Sequence, residues 1–173
     1  MSAVFGIVGW KNSGKTGLME RLVTEIRGRG VSVSTVKHAH HSFDVDQPGK
    51  DSYRHRDAGA QEVLLASGRR WVLMHELRGA TEPTLEELLE RLSPVDLVLI
   101  EGYKRDAHPK LEAHRSATGQ LLIATEDTSI LAVASDADHP DLNRPVFDLD
   151  DTISIADFVL EQTSLAALRR TGS

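Results

Sequence analysis

The chain contains no cysteine, so it can form no disulfide and offers no thiolate to a metal. No apolar run approaches the length that spans a bilayer, and the first residues lack a secretory pattern. Met1 leads almost directly into an apolar strand, so the expectation is a globular cytoplasmic protein with no membrane contact. Internal repeats and linker-like stretches are missing too, which favours one domain over residues 1–173.

What is present is charge, unevenly spread. Residues 1–70 hold eleven Lys/Arg against seven Asp/Glu, while the rest of the chain holds nine against nineteen. A positive first part suits an anionic ligand, and an acidic second part argues against a nucleic-acid surface.

The stretch Gly9-Trp10-Lys11-Asn12-Ser13-Gly14-Lys15-Thr16 fits the pattern GxxxxGK followed by Ser or Thr. An apolar run at 3–8 leads in as a buried strand, and Leu18, Leu22 and Ile26 follow at helical spacing. Strand, glycine-rich turn and helix together let backbone N–H groups and a helix N-terminus surround a phosphate. Lys15 is then expected to reach the terminal phosphates, and the Thr16 hydroxyl to face magnesium. A β-branched strand is expected at 31–36, closing a right-handed βαβ unit.

Residues 37–51 are polar, with Lys37, His38, His40, His41, Asp44 and Asp46 close together. They follow the second strand, at the edge where open α/β sheets bind ligands. His and carboxylate can hold zinc or nickel, line a ligand pocket, or simply form a solvated loop. Phe43 and Val45 are the expected apolar anchors, and Asp51 the expected cap of a short helix. Within it Lys50 and Arg54 lie four apart, on one face and suited to an anion, with Arg56 beside them.

Residues 62–67 and 70–75 read as a β-hairpin, whose consecutive Trp71, Val72, Leu73 and Met74 would leave apolar surface exposed. Thr84 and Glu87 have the capping-box spacing before Leu88, Leu89 and Leu92. Residues 96–100 are a nearly continuous apolar strand ending in Glu101 and Gly102. An acid at that position is expected to share magnesium with Thr16, and Gly102 to let the backbone approach phosphates. Lys104, Arg105, Lys110 and Arg115 form a further basic group. Short strands are expected at 111–114, 121–124, 131–134 and 146–148, and a last helix from the Asp151 cap, carrying Ile155, Phe158, Val159, Leu165 and Leu168. The fold class is α/β and P-loop NTPase-like: a mainly parallel sheet flanked by helices, with an added β-hairpin.

Base selection is weakly marked. Tyr103-Lys104-Arg105-Asp106 matches three positions of the Asn/Thr-Lys-x-Asp pattern but follows the wrong strand, while 125–127 and Ser135-Asp136 end later strands. No residue stands out as catalytic.

The segments GWKNSGKT, KHAHHSFDVDQPGKDSYRHRDAGA and DLVLIEGYK, within residues 3–115, closely resemble the molybdopterin-guanine dinucleotide biosynthesis adaptor family (MobB). That resemblance implies a GTP- and Mg2+-binding homodimer with at most weak GTPase activity. It also implies service to the guanylyltransferase that joins GMP to molybdopterin, with molybdopterin itself a further candidate ligand. Carried over, Gly9 to Thr16 hold phosphates, Thr16 and Glu101 hold magnesium, and residues 37–56 line a pocket. A small-molecule kinase and a metal-insertion GTPase are the alternatives, separable by hydrolysis with candidate acceptors and by metal content.

Overall fold

Uninterrupted apolar residues leave a strand no face for water, and the run at 3–8 forms a central strand. The computed structural model describes residues 2–39 and 43–168. In chain order its elements are β1 (Ala3–Val8), α1 (Lys15–Gly28), β2 (Val33–Lys37), α2 (Asp51–Asp57), β3 (Glu62–Ala66) and β4 (Trp71–His75). Then come α3 (Leu85–Leu89), β5 (Leu97–Glu101), β6 (Lys110–His114), β7 (Ile130–Ser135), β8 (Val146–Asp148) and α4 (Thr152–Gln162).

The backbone divides into two compact units, one made of residues up to His38 and from Glu90 on, the other of Ala39–Leu89. The first is a parallel sheet in the order β2-β5-β1-β6-β7-β8. Alternation sends Phe5 and Ile7 of β1, Leu97 and Leu99 of β5, and Leu111 and Ala113 of β6 to one face. There they pack with Leu18, Leu22 and Ile26 of α1 and Ile155 and Val159 of α4. On the other face Val8, Ile130 and Val133 meet Ala124 in a smaller cluster. Asp151 caps α4 by accepting from the Ser154 N–H at 3.1 Å, as its sequence position suggests.

A clasp aligns β2 with β5. Asp96 Oδ2 accepts from Ser32 N–H (2.8 Å) and Ser32 Oγ (2.6 Å), and Ser32 Oγ accepts from Asp96 N–H (2.9 Å). In register with it, Ile7, Glu101 and Lys37 stand side by side at the other end of the strands.

The second unit contains α2, the antiparallel hairpin β3–β4 and α3. Arg56 is its centre: the guanidinium reaches Asp44 at 2.8 Å, Glu76 at 2.9 Å and Asp46 at 3.6 Å, and the bonds from Asp44 and then Glu76 raise its pKa further. Phe43 and Val45 are 76% and 66% exposed, so they are not anchors. Alternate residues do that work, because Asp44 and Asp46 turn to Arg56.

Other expectations are corrected in the same way. Asp51 is the first helical residue of α2, not its cap; Lys50 occupies the cap position. The capping box of α3 forms, with Thr84 and Glu87 bonded reciprocally, but the helix stops at Leu89, before Leu92. Residues 123–125 make a 3-10 turn instead of a strand, because Glu112 takes the Ile123 and Ala124 N–H groups that a sheet neighbour would need. Helix α4 ends at Gln162, short of Leu165 and Leu168.

Candidate functional site

The loop between β1 and α1 leaves room for an anion. A Cβ on Gly9 would meet Ala113 O and Ser13 Oγ at 2.4 Å, so only glycine fits there. Helix α1 starts from Gly14 with no side-chain cap and no acid in its first turn, unlike the capped α4. Its first N–H groups therefore have no side-chain acceptor and face the loop with the positive end of the helix dipole. Ser13 is 1% exposed, yet its Oγ has no partner among the described residues. Lys15 Nζ donates back to the loop carbonyl of Trp10 at 3.1 Å. A buried orphan hydroxyl, a folded-back ammonium and an uncapped helix are the set that a phosphate satisfies.

Beside the loop, Thr16 Oγ1 donates to Glu101 Oε1 at 3.0 Å, and Lys37 Nζ lies 3.2 Å from the same oxygen. Glu101 is 7% exposed and borders a cavity of about 480 Å3 that Thr16 and Lys37 also line. A hydroxyl and a carboxylate this close suit a hard cation that keeps water and phosphate ligands, as magnesium does. No group of three or more His, Cys, Asp or Glu able to hold a metal occurs among the described residues.

Lys37 and His38 thus lie where the sequence suggests. His38 N–H bonds Glu101 O at 3.0 Å, and its ring stands 4.8 Å from the Tyr103 ring. Gly102, at φ 97°, brings the backbone against His38 Cβ. His40 and His41 lie outside the described residues. Lys50 and Arg54 belong to the second unit, where Arg54 approaches Asp51 at 3.9 Å and lines a cavity of about 460 Å3. Arg56 is taken up by its three carboxylates.

The basic group after Glu101 separates. Lys110 is fully buried and donates to Ser129 Oγ (2.6 Å), Asp127 Oδ2 (3.2 Å) and Lys104 O (3.2 Å). Arg115 lies over Gly14, its Nε 3.0 Å from where a Cβ would sit. Lys104 Nζ sits 4.2 Å from the Trp10 ring centroid. Trp10 Nε1 in turn donates to Leu121 O at 2.9 Å, beside a cavity of about 620 Å3 lined by Trp10, Lys11, Asn12, Ala117, Thr118 and Gln120. Nothing in the local pattern of residues 115–121 marks them as neighbours of the loop, since only folding brings them to Trp10.

The weak base-selecting candidates are largely occupied. Asp127 holds Lys110 and Ser129, Asp136 Oδ1 accepts from the Ser116 N–H and Oγ, and Ser135 Oγ lies between His114 and His139. Tyr103–Asp106 closes as a turn through Asp106 N–H and Tyr103 O.

A parallel sheet with a glycine-rich loop between its central strand and first helix, and an acid at the end of the adjacent strand, defines an α/β fold of the P-loop type. The family model described as "Molybdopterin guanine dinucleotide synthesis protein B" matches residues 4–136. An Escherichia coli molybdopterin-guanine dinucleotide biosynthesis adapter protein is 38% identical over 93% of this chain and 93% of its own. The Haemophilus influenzae protein of that name is 38% identical over 90% and 86%. Among solved structures, Bacillus subtilis MobB superposes with a TM-score of 0.73 at 25% identity, covering 93% of this chain and 98% of that one. The chain belongs to the MobB family.

Proposed function

We propose that the chain is a GTP-binding accessory protein of molybdenum cofactor biosynthesis, working in the cytoplasm with the guanylyltransferase that converts molybdopterin to its guanine dinucleotide. The observation that carries this reading is the intact phosphate loop beside the Thr16–Glu101 contact of 3.0 Å, in a chain 38% identical to a named adapter protein. Ser13, Lys15 and the first turn of α1 bind the phosphate tail. Thr16 and Glu101 would hold Mg2+, which neutralises phosphate charge when bound. In this reading hydrolysis is at most weak and the role is that of an adaptor.

Isothermal titration of GTP into the Lys15→Ala variant tests this. A charge-assisted bond of this kind contributes about 1.5–3 kcal/mol, so affinity should fall at least about tenfold while the melting temperature holds. Unchanged affinity would refute the phosphate-binding role. Copurification with the guanylyltransferase tests the partner.

The protein also acts as a homodimer joined through the β3–β4 hairpin. Leu64, Leu73 and Trp71 share one hairpin face and are 60%, 42% and 68% exposed, an unusual apolar surface for a monomer. Light scattering at micromolar concentration should give twice the chain mass.

A further inference from the structure

Lys104 is a cation with little to hold it. Its ammonium has no hydrogen-bond or ion-pair partner among the described residues and rests over the Trp10 ring, 4.2 Å from the centroid. Its backbone, by contrast, is pinned. The Lys104 carbonyl accepts from the buried Lys110 ammonium at 3.2 Å. Ahead of it, Gly102 at φ 97° and Tyr103 at φ 51° form two consecutive left-handed residues that set the direction of the chain as it leaves β5. A firmly placed backbone with a loosely held head group is what a side chain needs in order to swing to a ligand.

The surroundings say which ligand. Trp10 belongs to the glycine-rich loop and its indole N–H donates to Leu121 O at 2.9 Å, so the ring under Lys104 is tethered beside the loop. Burial and then the nearby Lys15 ammonium push the Lys104 pKa down, partly offset by Glu112. Two ammonium groups that repel each other are both relieved by an anion between them. Phosphate also holds a cation more tightly than an indole face does. Loop N–H groups serve the inner phosphates, which leaves the outermost one to side chains near Lys15 and Glu101.

We propose that Lys104 is a second phosphate-binding cation that leaves Trp10 for the terminal phosphate of a nucleoside triphosphate, and so distinguishes triphosphate from diphosphate. This rests on the nucleotide-binding reading above and adds a residue to it. Lys104 acts by direct contact with the phosphate, and the indole reports the movement.

The test uses Lys104→Met, which keeps the apolar stem and removes the charge. It is made in a Trp71→Phe background, because the chain has two tryptophans and only Trp10 should emit. GTP and GDP are titrated with Mg2+ by calorimetry and by fluorescence. Relative to the parent, GTP affinity should fall about tenfold or more and GDP affinity by less than about twofold. GTP should change Trp10 emission in the parent and much less in the variant, and Lys104→Arg should recover most of the GTP affinity. Equal losses for both nucleotides, unchanged GTP affinity, or the same emission change in parent and variant would overturn the assignment. A parent that binds neither nucleotide would instead overturn the nucleotide-binding reading, and the role of Lys104 with it.

Discussion

On one face of the six-stranded sheet Leu22 and Val159, from two helices, bury Phe5, Leu99 and Leu111 without a polar atom among these side chains. On the other face the same strand β6 presents Lys110, Glu112 and His114, which are 0%, 0% and 6% exposed. Among the described residues, loops and short 3-10 turns rather than α-helices of the first unit cover it, and each buried polar group holds one of them. Lys110 holds 104 and 127–129, Glu112 holds 123 and 124, and His114 meets Gln120 O and Ser135. The helical face is stabilised by area, whereas the looped face is specified by hydrogen bonds that lose value if either partner moves. One face can therefore hold the fold while the other positions the segments around the glycine-rich loop.

Substitutions can break that contrast. The largest effect is expected from Leu22→Ala, fully buried on the helical face, at about 2–5 kcal/mol of unfolding free energy. Urea melts with an unchanged slope should register it as a lower midpoint. Lys110→Met should cost about 1–3 kcal/mol, by leaving Asp127 and Ser129 without their ammonium. Its distinguishing mark is faster hydrogen exchange in residues 115–129 than at β1, a pattern Leu22→Ala should not give. A uniform loss of protection would mean the two faces are one cooperative unit.

The smallest and most specific effect concerns pH. Burial pushes the Glu112 carboxyl up, against the Ile123 and Ala124 N–H groups and the charges of His114 and Lys104. A raised carboxyl pKa means that the folded state favours the proton. The resulting stability is complete below the ordinary glutamate value, about 4.3, and is lost as pH rises through the folded value. Glu112→Gln removes that dependence and leaves the other carboxylates in place. Stability of the parent minus that of the variant should therefore fall as pH rises from about 4 towards 7. Parallel stability curves would show that Glu112 is not desolvated as the geometry requires.

The two faces also differ in how far they could be read from sequence. The helical face announces itself: β1 is continuous, α1 repeats Leu18, Leu22 and Ile26, and Asp151 caps α4. The glycine-rich turn from Gly9 to Thr16 and the strand end at Glu101 were legible for the same reason, since local spacing marks both. Residues 121–124 were not, because an apolar run of that length suits a strand until Glu112 claims its N–H groups. Lys110 and Arg56 look like ordinary surface cations until partners distant along the chain surround them. Phe43 and Val45 differ for a related reason: they are apolar without being buried, and salt bridges hold the segment instead.

The Ser32–Asp96 clasp has a consequence for how the chain tolerates length. It joins residues 64 apart in sequence at the starting ends of two adjacent parallel strands. Parallel neighbours need a crossover of about a dozen residues in any case, because the chain must return to the starting end. Beyond that minimum, each doubling of the excursion costs only about 0.6 kcal/mol of closure entropy. The whole of Ala39–Leu89 lies inside this one crossover. Insertions and deletions there should accumulate among relatives at little cost to the sheet, which makes the crossover the natural place for the fold to acquire or lose a second compact unit.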